Sequence, residues 1–323
     1  MEKNQNKPNK LSGLRRFLTG ERLKAALPLI GFVIIIVVMH ILTNGKILTP
    51  KKLRLLFSQI YYPTIVATGV FFIMTLGSID FTEGSTLGVA SIVVSALSFY
   101  SIPLAILGGV LTGAAIGAIN GFFHVKFRLP SFIVTICTMY LFRGVCAYFT
   151  TETAVPASNA IKSLDQDWLK ISITMAVLAV AFFLFTFTRI GNDVKAVGSG
   201  ETAARFSGVR TGRVKFLTFV CAGMLTGLAA FVNVIKVGSI TATAGNQLET
   251  QILISLVLGG LPITSGAKVR FSNIIIGTLM YAVLNSGLSI LGYEPQVQQL
   301  IKGIVFLIFV ALTIDRKALK VIK

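Results

Sequence analysis

Apolar runs long enough to cross a bilayer recur along the whole chain, and they leave little room for any other kind of fold. A helix spanning the hydrocarbon core needs about 20 mainly apolar residues. Ten candidate segments fall near 25–43, 58–76, 85–100, 102–123, 131–149, 170–188, 215–235, 250–264, 272–291 and 298–314. Lipid offers the backbone no hydrogen-bond partners, so such runs must satisfy their own N–H and C=O groups as helices. The expected fold class is therefore all-α, a polytopic membrane protein of about ten transmembrane helices. The third and eighth runs are short and rich in Gly or Pro, which predicts broken or re-entrant helices held inside the bundle.

Charge sets direction. The chain carries a formal charge of +18, but its Lys and Arg residues sit in short clusters between apolar runs. No aromatic-interleaved basic face of the kind that binds nucleic acid is present, so nucleic acid is not an expected partner; anionic membrane lipid facing basic loops accounts for the charge. The positive-inside rule places the tail 1–24, Lys126, Arg128, the loop 189–215, Lys268, Arg270 and the tail 315–323 in the cytoplasm, 21 of the 30 basic residues. The transmembrane domain is then 25–314, with both termini cytoplasmic in a bacterial cell (inner) membrane. The run Ala25 to Thr43 is too long for a signal-peptide core and lacks a small-residue cleavage site, so it reads as a retained anchor.

The halves carry related strings. Gly77-Ser78-Ile79-Asp80-Phe81-Thr82-Glu83-Gly84 follows the second run, and Gly238-Ser239-Ile240-Thr241-Ala242-Thr243-Ala244-Gly245 follows the seventh. Asn120 and Pro130 are spaced like Asn285 and Pro295. An offset of five spans gives the copies opposite orientations, an inverted repeat with a transport path at the interface of the halves. Gly109, Gly113, Gly117 and Gly121 recur every four residues and read as a close-contact helix face.

Polar residues at membrane depth are the candidate pathway: Asp80, Asn120, Asn233, Gln251 and Asn285. Each is suited to a passing polyol and equally able to tie helices together. Asp80 has a further structural option, capping the helix that follows it. Arg143 lies near enough to a span end for its head either to snorkel to the interface or to act inside. Cys137, Cys146 and Cys221 all fall in apolar runs and read as packing residues. No HExxH, GxSxG, Walker A or paired intramembrane carboxylates are evident, so no catalytic residue, metal site or proton relay is expected.

The longest cytoplasmic segment holds Ser199-Gly200-Glu201-Thr202-Ala203-Ala204-Arg205-Phe206-Ser207-Gly208. Its chemistry predicts a short helix with Ser199 as N-cap, Glu201 in the first turn and Gly208 as the stop. Glu201 and Arg205 are spaced to pair, leaving Ala203, Ala204 and Phe206 as an apolar surface for a soluble partner.

Here the sequence resembles the permease subunits of ribose-type sugar ABC importers, whose corresponding segment carries a NEAAxRxSGI-like string. The resemblance runs from about Gly69 to Thr313. It includes Gly77 to Gly84 against the family's GGIDLSVG, and Gly113 to Gly144 against its GxxxGxxxG, N-G, TLxxxxxxRG pattern. Glu83 departs from it, as does Gly259-Gly260-Leu261-Pro262-Ile263-Thr264-Ser265-Gly266-Ala267-Lys268 against the family's GGxSxxGGxG.

The resemblance implies a type II importer-like permease dimer, formed with a second copy or a paralogue. It further implies an ATPase subunit that binds ATP and Mg, an extracytoplasmic sugar-binding protein, and no cofactor in this chain. Ser199, Glu201, Thr202, Ala203, Ala204, Arg205, Phe206 and Gly208 would couple to the ATPase. The expected function is monosaccharide import, of a ribose-like pentose or a hexose. An ion-coupled secondary transporter is the alternative an inverted repeat also fits, and a membrane scaffold or enzyme is a more distant one.

Overall fold

The computed structural model describes residues 20–262 and 269–313, with side chains described from Ala26 to Ala311. The basic tail up to Thr19, the segment 263–268 and the residues from 314 onward therefore lie outside it. So do Ile263 to Lys268 of the departing glycine-rich string.

Thirteen helices account for almost everything described. They are α1 (Gly20–Leu42), α2 (Pro50–Thr75), α3 (Glu83–Leu97), α4 (Ile102–Lys126), α5 (Ser131–Thr150), α6 (Asn159–Lys162), α7 (Asp167–Phe187), α8 (Arg189–Ser199), α9 (Glu201–Phe206), α10 (Thr211–Val237), α11 (Leu248–Leu258), α12 (Ser272–Ile290) and α13 (Pro295–Thr313). Among the described residues, six helices are long and apolar enough to cross a membrane: α2, α4, α5, α7, α10 and α12. The apolar stretches of α1, α3, α11 and α13 described here are shorter. A small two-stranded pairing, Val155 with Ile240 and Pro156 with Ser239, links the loop after α5 to the loop after α10.

The solvation pattern is that of a protein dissolved in lipid. Leu111 and Leu307 are among many large apolar side chains facing outward, whereas Thr68, Ser91, Asn120, Thr135 and Thr226 are buried. Many buried hydroxyls are satisfied by donating one turn back along their own helices, as Thr68 does to the Thr64 carbonyl and Thr278 to the Ile274 carbonyl. Tyr100, Tyr148 and Trp168 stand exposed near the starts and ends of α3, α5 and α7 at one end of the bundle, the girdle that amphipathic aromatics form at a membrane interface.

The centre of the bundle is α10, which packs along α2, α3 and α4. Its closest contact is with α4. A β-carbon on Gly109 would meet the Gly227 carbonyl, on Gly113 the Gly223 carbonyl, and on Gly117 the Phe219 carbonyl. The stripe read from the sequence as a close-contact face is one, and only glycine lets these two backbones come so near. Across the molecule, α2 packs against α11 and α12, and α11 against α12 and α13.

Candidate functional site

Three groups of polar and charged residues bear on the candidates: the end carrying α8 and α9, the junction of α3 with α11, and a cavity beside α12.

At the first, a hairpin of two helices folds back under the bundle. Val194 and Val197 of α8 are buried with Leu76 and Ala204. Lys195 locks α8 to the end of α7, donating from Nζ to the Phe185 carbonyl at 2.9 Å while lying 4.0 Å from that residue's ring centroid. No apolar run announces α8, because only Gly191, Val194 and Val197 on one side of it are buried.

The short helix expected after it is α9, and Gly208, at φ 86°, ends it in the left-handed region. Two details differ from expectation. Ser199 is the last residue of α8 and donates back to the Lys195 carbonyl at 2.7 Å, so Gly200 precedes α9 without a side-chain cap. Glu201 pairs with Lys215 of α10 at 2.5 Å, not with Arg205. The Lys215 ammonium donates to the Glu201 carboxylate and holds it below the usual carboxylate range.

Ala204 is turned into the bundle, so the exposed apolar surface is Ala203 and Phe206. Phe206, 89% exposed, is the most prominent. Thr202 and Arg205 flank it, both exposed.

In the interior, the first turns of α3 and α11 meet. A β-carbon on Gly84 would strike the Gly245 carbonyl and Glu249, and one on Gly245 would strike the Gly84 carbonyl. Each helix carries an acid in its first turn, Glu83 and Glu249, where the positive end of the helix dipole favours it. Arg143 of α5 donates from Nη2 to both Glu249 oxygens at 3.2 and 3.4 Å. The Thr226 hydroxyl of α10 donates to buried Glu83.

Asp80 accepts from the Thr82 backbone N–H at 2.8 Å and from its hydroxyl at 2.5 Å. Asn120 donates to the Thr82 hydroxyl at 2.9 Å and accepts from Thr138 at 2.7 Å. That chain of bonds ties the loop before α3 to α4 and α5. Asp80 and Glu83 are both buried and the Glu249 carboxylate lies against Gly84, so carboxylates do gather here. The sequence places Asp80 and Glu83 three residues apart in one string, but only the fold brings Glu249 beside them at Gly84.

The third place holds two more of the candidates. Gln251 and Asn285 line a cavity of about 20 Å³ together with Gln59, Ser255, Thr278 and Tyr281, room for about one water. Lys302 of α13 donates to Asn285 Oδ1 at 2.7 Å. Asn233 stands apart from both groups and donates to the Ser91 hydroxyl at 3.3 Å, joining α10 to α3. The sequence left Arg143 open between the interface and the interior and assigned no role to Lys302. A lone cation inside an apolar run was the available signal for Arg143 and Lys302.

Residues 53–310 match the family model described as branched-chain amino acid transport system / permease component. The ribose import permease RbsC of Bacillus subtilis (strain 168) is 31% identical over 300 residues, covering 90% of this chain and 92% of that protein. RbsC of Escherichia coli (strain K12) is 28% identical over 315 residues, 94% of this chain and 97% of its own length. The L-arabinose ABC transporter permease AraH of Azospirillum brasilense is 30% identical over 278 residues, 83% and 81% of the two chains. No solved structure matches the chain.

Proposed function

From the premise that this chain belongs to the branched-chain amino acid transport system / permease component family, as a multi-pass membrane protein, we propose that it is the permease subunit of an ATP-driven monosaccharide importer. The observation that carries the reading is the exposed α9 turn, with Phe206 at the bundle's end, in a chain whose relatives over most of its length are ribose and arabinose permeases. The ATPase, with its ATP and Mg, is a separate subunit, and an extracytoplasmic binding protein delivers the sugar to a permease dimer of like or paralogous chains. Thr202, Ala203, Arg205 and Phe206 form the face the ATPase grips; Ser199, Glu201, Ala204 and Gly208 hold the turn in place.

The reading includes ten spans over 25–314 and cytoplasmic tails at 1–24 and 315–323 in a bacterial inner membrane. The shorter helices α1, α3, α11 and α13 complete the count. Three observations support two inverted halves. Gly77 and Gly238 both close the preceding helix with positive φ, 78° and 73°. Gly84 and Gly245, the last glycines of the two strings, touch each other. Contacts also correspond: between halves, α10 with α4 mirrors α2 with α12, and within them, α3 with α5 mirrors α11 with α13. Gln251 and Asn285 are the path residues we favour, because both line the polar cavity, although Asn285 is also held by Lys302.

The test is reconstitution with the ATPase and binding protein in liposomes. Phe206→Ala should cut sugar uptake and binding-protein-stimulated ATP hydrolysis about tenfold or more, the loss expected of an exposed aromatic anchor, with the permease's melting temperature unchanged. Uptake by the permease alone, driven by a proton or sodium gradient, would instead establish the ion-coupled transporter.

A further inference from the structure

The tight α4–α10 crossing ends abruptly. Gly109, Gly113 and Gly117 each lie against an α10 backbone carbonyl, but the next position, Gly121, meets the bulky side chain and backbone of Phe216. One turn further along α4, Val125 stands opposite Gly212, and the helices no longer interlock. A groove of about 510 Å³ opens there, lined by Phe122, Val125 and Lys126 of α4 and Gly212, Arg213, Phe216 and Leu217 of α10.

Its walls are almost wholly apolar side chains, and its only charged lining groups are Lys126 and Arg213, both exposed. Among the described residues neither cation makes an ion pair, whereas nearby Lys215 is taken by Glu201. The groove lies at the bundle end that carries α8 and α9, an apolar slot beside two cations that make no ion pair among the described residues.

We propose that this groove is a binding site for an anionic phospholipid, with one acyl chain along Phe122, Phe216 and Leu217 and the phosphate held between Lys126 and Arg213. Charge complementarity selects this occupant. A second copy of the chain would present the same two cations to its own, and an apolar helix would leave them unpaired. Basic pockets between spanning helices on the cytoplasmic side are a recognised setting for anionic headgroups, and Arg offers a phosphate a bidentate fork. The site needs neither the sugar nor the ATPase, so it stands or falls separately from the transport reading.

The full chain in nanodiscs tests it by fluorescence. Trp168, the one tryptophan, is replaced by Phe, and Leu217→Trp puts a reporter in the groove wall. The expected result is that brominated phosphatidylglycerol quenches the reporter at a lower mole fraction than brominated phosphatidylcholine, by roughly fivefold for each cation engaged. K126Q/R213Q should erase that preference and K126R/R213K should keep it, with native Trp168 in the parent chain showing none. Equal quenching by both lipids would overturn the proposal in favour of unselective annular lipid. Absence of quenching by either, with cross-links from Leu217→Cys to a second copy or to the ATPase, would overturn it in favour of a protein interface.

Discussion

The pair α4–α10 is sealed along its glycine stripe, whereas the pair α12–α2 holds a cavity. With Asn120 aligned on Asn285, the glycine stripe Gly113, Gly117 and Gly121 falls on Thr278, Ala282 and Ser286. Glycine brings α4 against the backbone of α10, whereas Thr278 and Ala282 line the polar cavity with Gln59 of α2. A few atoms per position separate a closed seam from one with a cavity. Bilayer helices gain no hydrophobic drive from meeting each other, so their contact depends on how closely the backbones can approach.

The strongest way to break the contrast is Gly113→Val. Its side chain has nowhere to go but into the Gly223 carbonyl, so the loss should equal or exceed the roughly 1–3 kcal/mol of an overpacked core, seen as a large drop in melting temperature or in monodisperse protein. Ala282→Ser, which puts a hydroxyl toward the cavity, should shift stability by about 1 kcal/mol or less. Equal losses at the two sites would show that the seam and the cavity wall are packed alike.

The seam between the halves offers a second test. Arg143→Met strips Glu249 of its cation at a side chain only 12% exposed. Breaking a fully buried pair from one side costs about 3–5 kcal/mol, and the partial exposure of Arg143 puts the expected loss toward the lower end. The double change R143M/E249L should recover most of it, as thermal melts in one detergent would reveal. A double variant no better than the single would mean that Arg143 acts through some other group.

The smallest effect belongs to the outer turn. Because Lys215 lowers the Glu201 carboxyl, the pair contributes above the ordinary Glu value of about 4.3. That contribution is lost as pH falls further, through the lowered value of the folded state. The pair is solvent-facing, with the Glu201 side chain 51% exposed, so it is worth less than about 1 kcal/mol. Hydrogen exchange over residues 201–208 should show this modest acid loosening in the parent chain and none in Glu201→Gln, whereas identical profiles would remove the pair from the account.

Runs of apolar residues were enough to locate the long helices and read the chain as a membrane protein, because lipid forces each run to satisfy its own backbone. The glycine spacing along α4 and the short α9 turn were legible for the same local reason: periodicity and stop signals act within a few residues. Tertiary structure alone decided which charges meet. Arg143 finds Glu249, Glu201 takes Lys215 in place of the nearer Arg205, and Lys302 reaches Asn285. Burial and partner geometry come from segments far apart in sequence, and no local pattern encodes them. The same holds for the cavity and the lipid-facing groove, which exist only where two helices stop fitting each other.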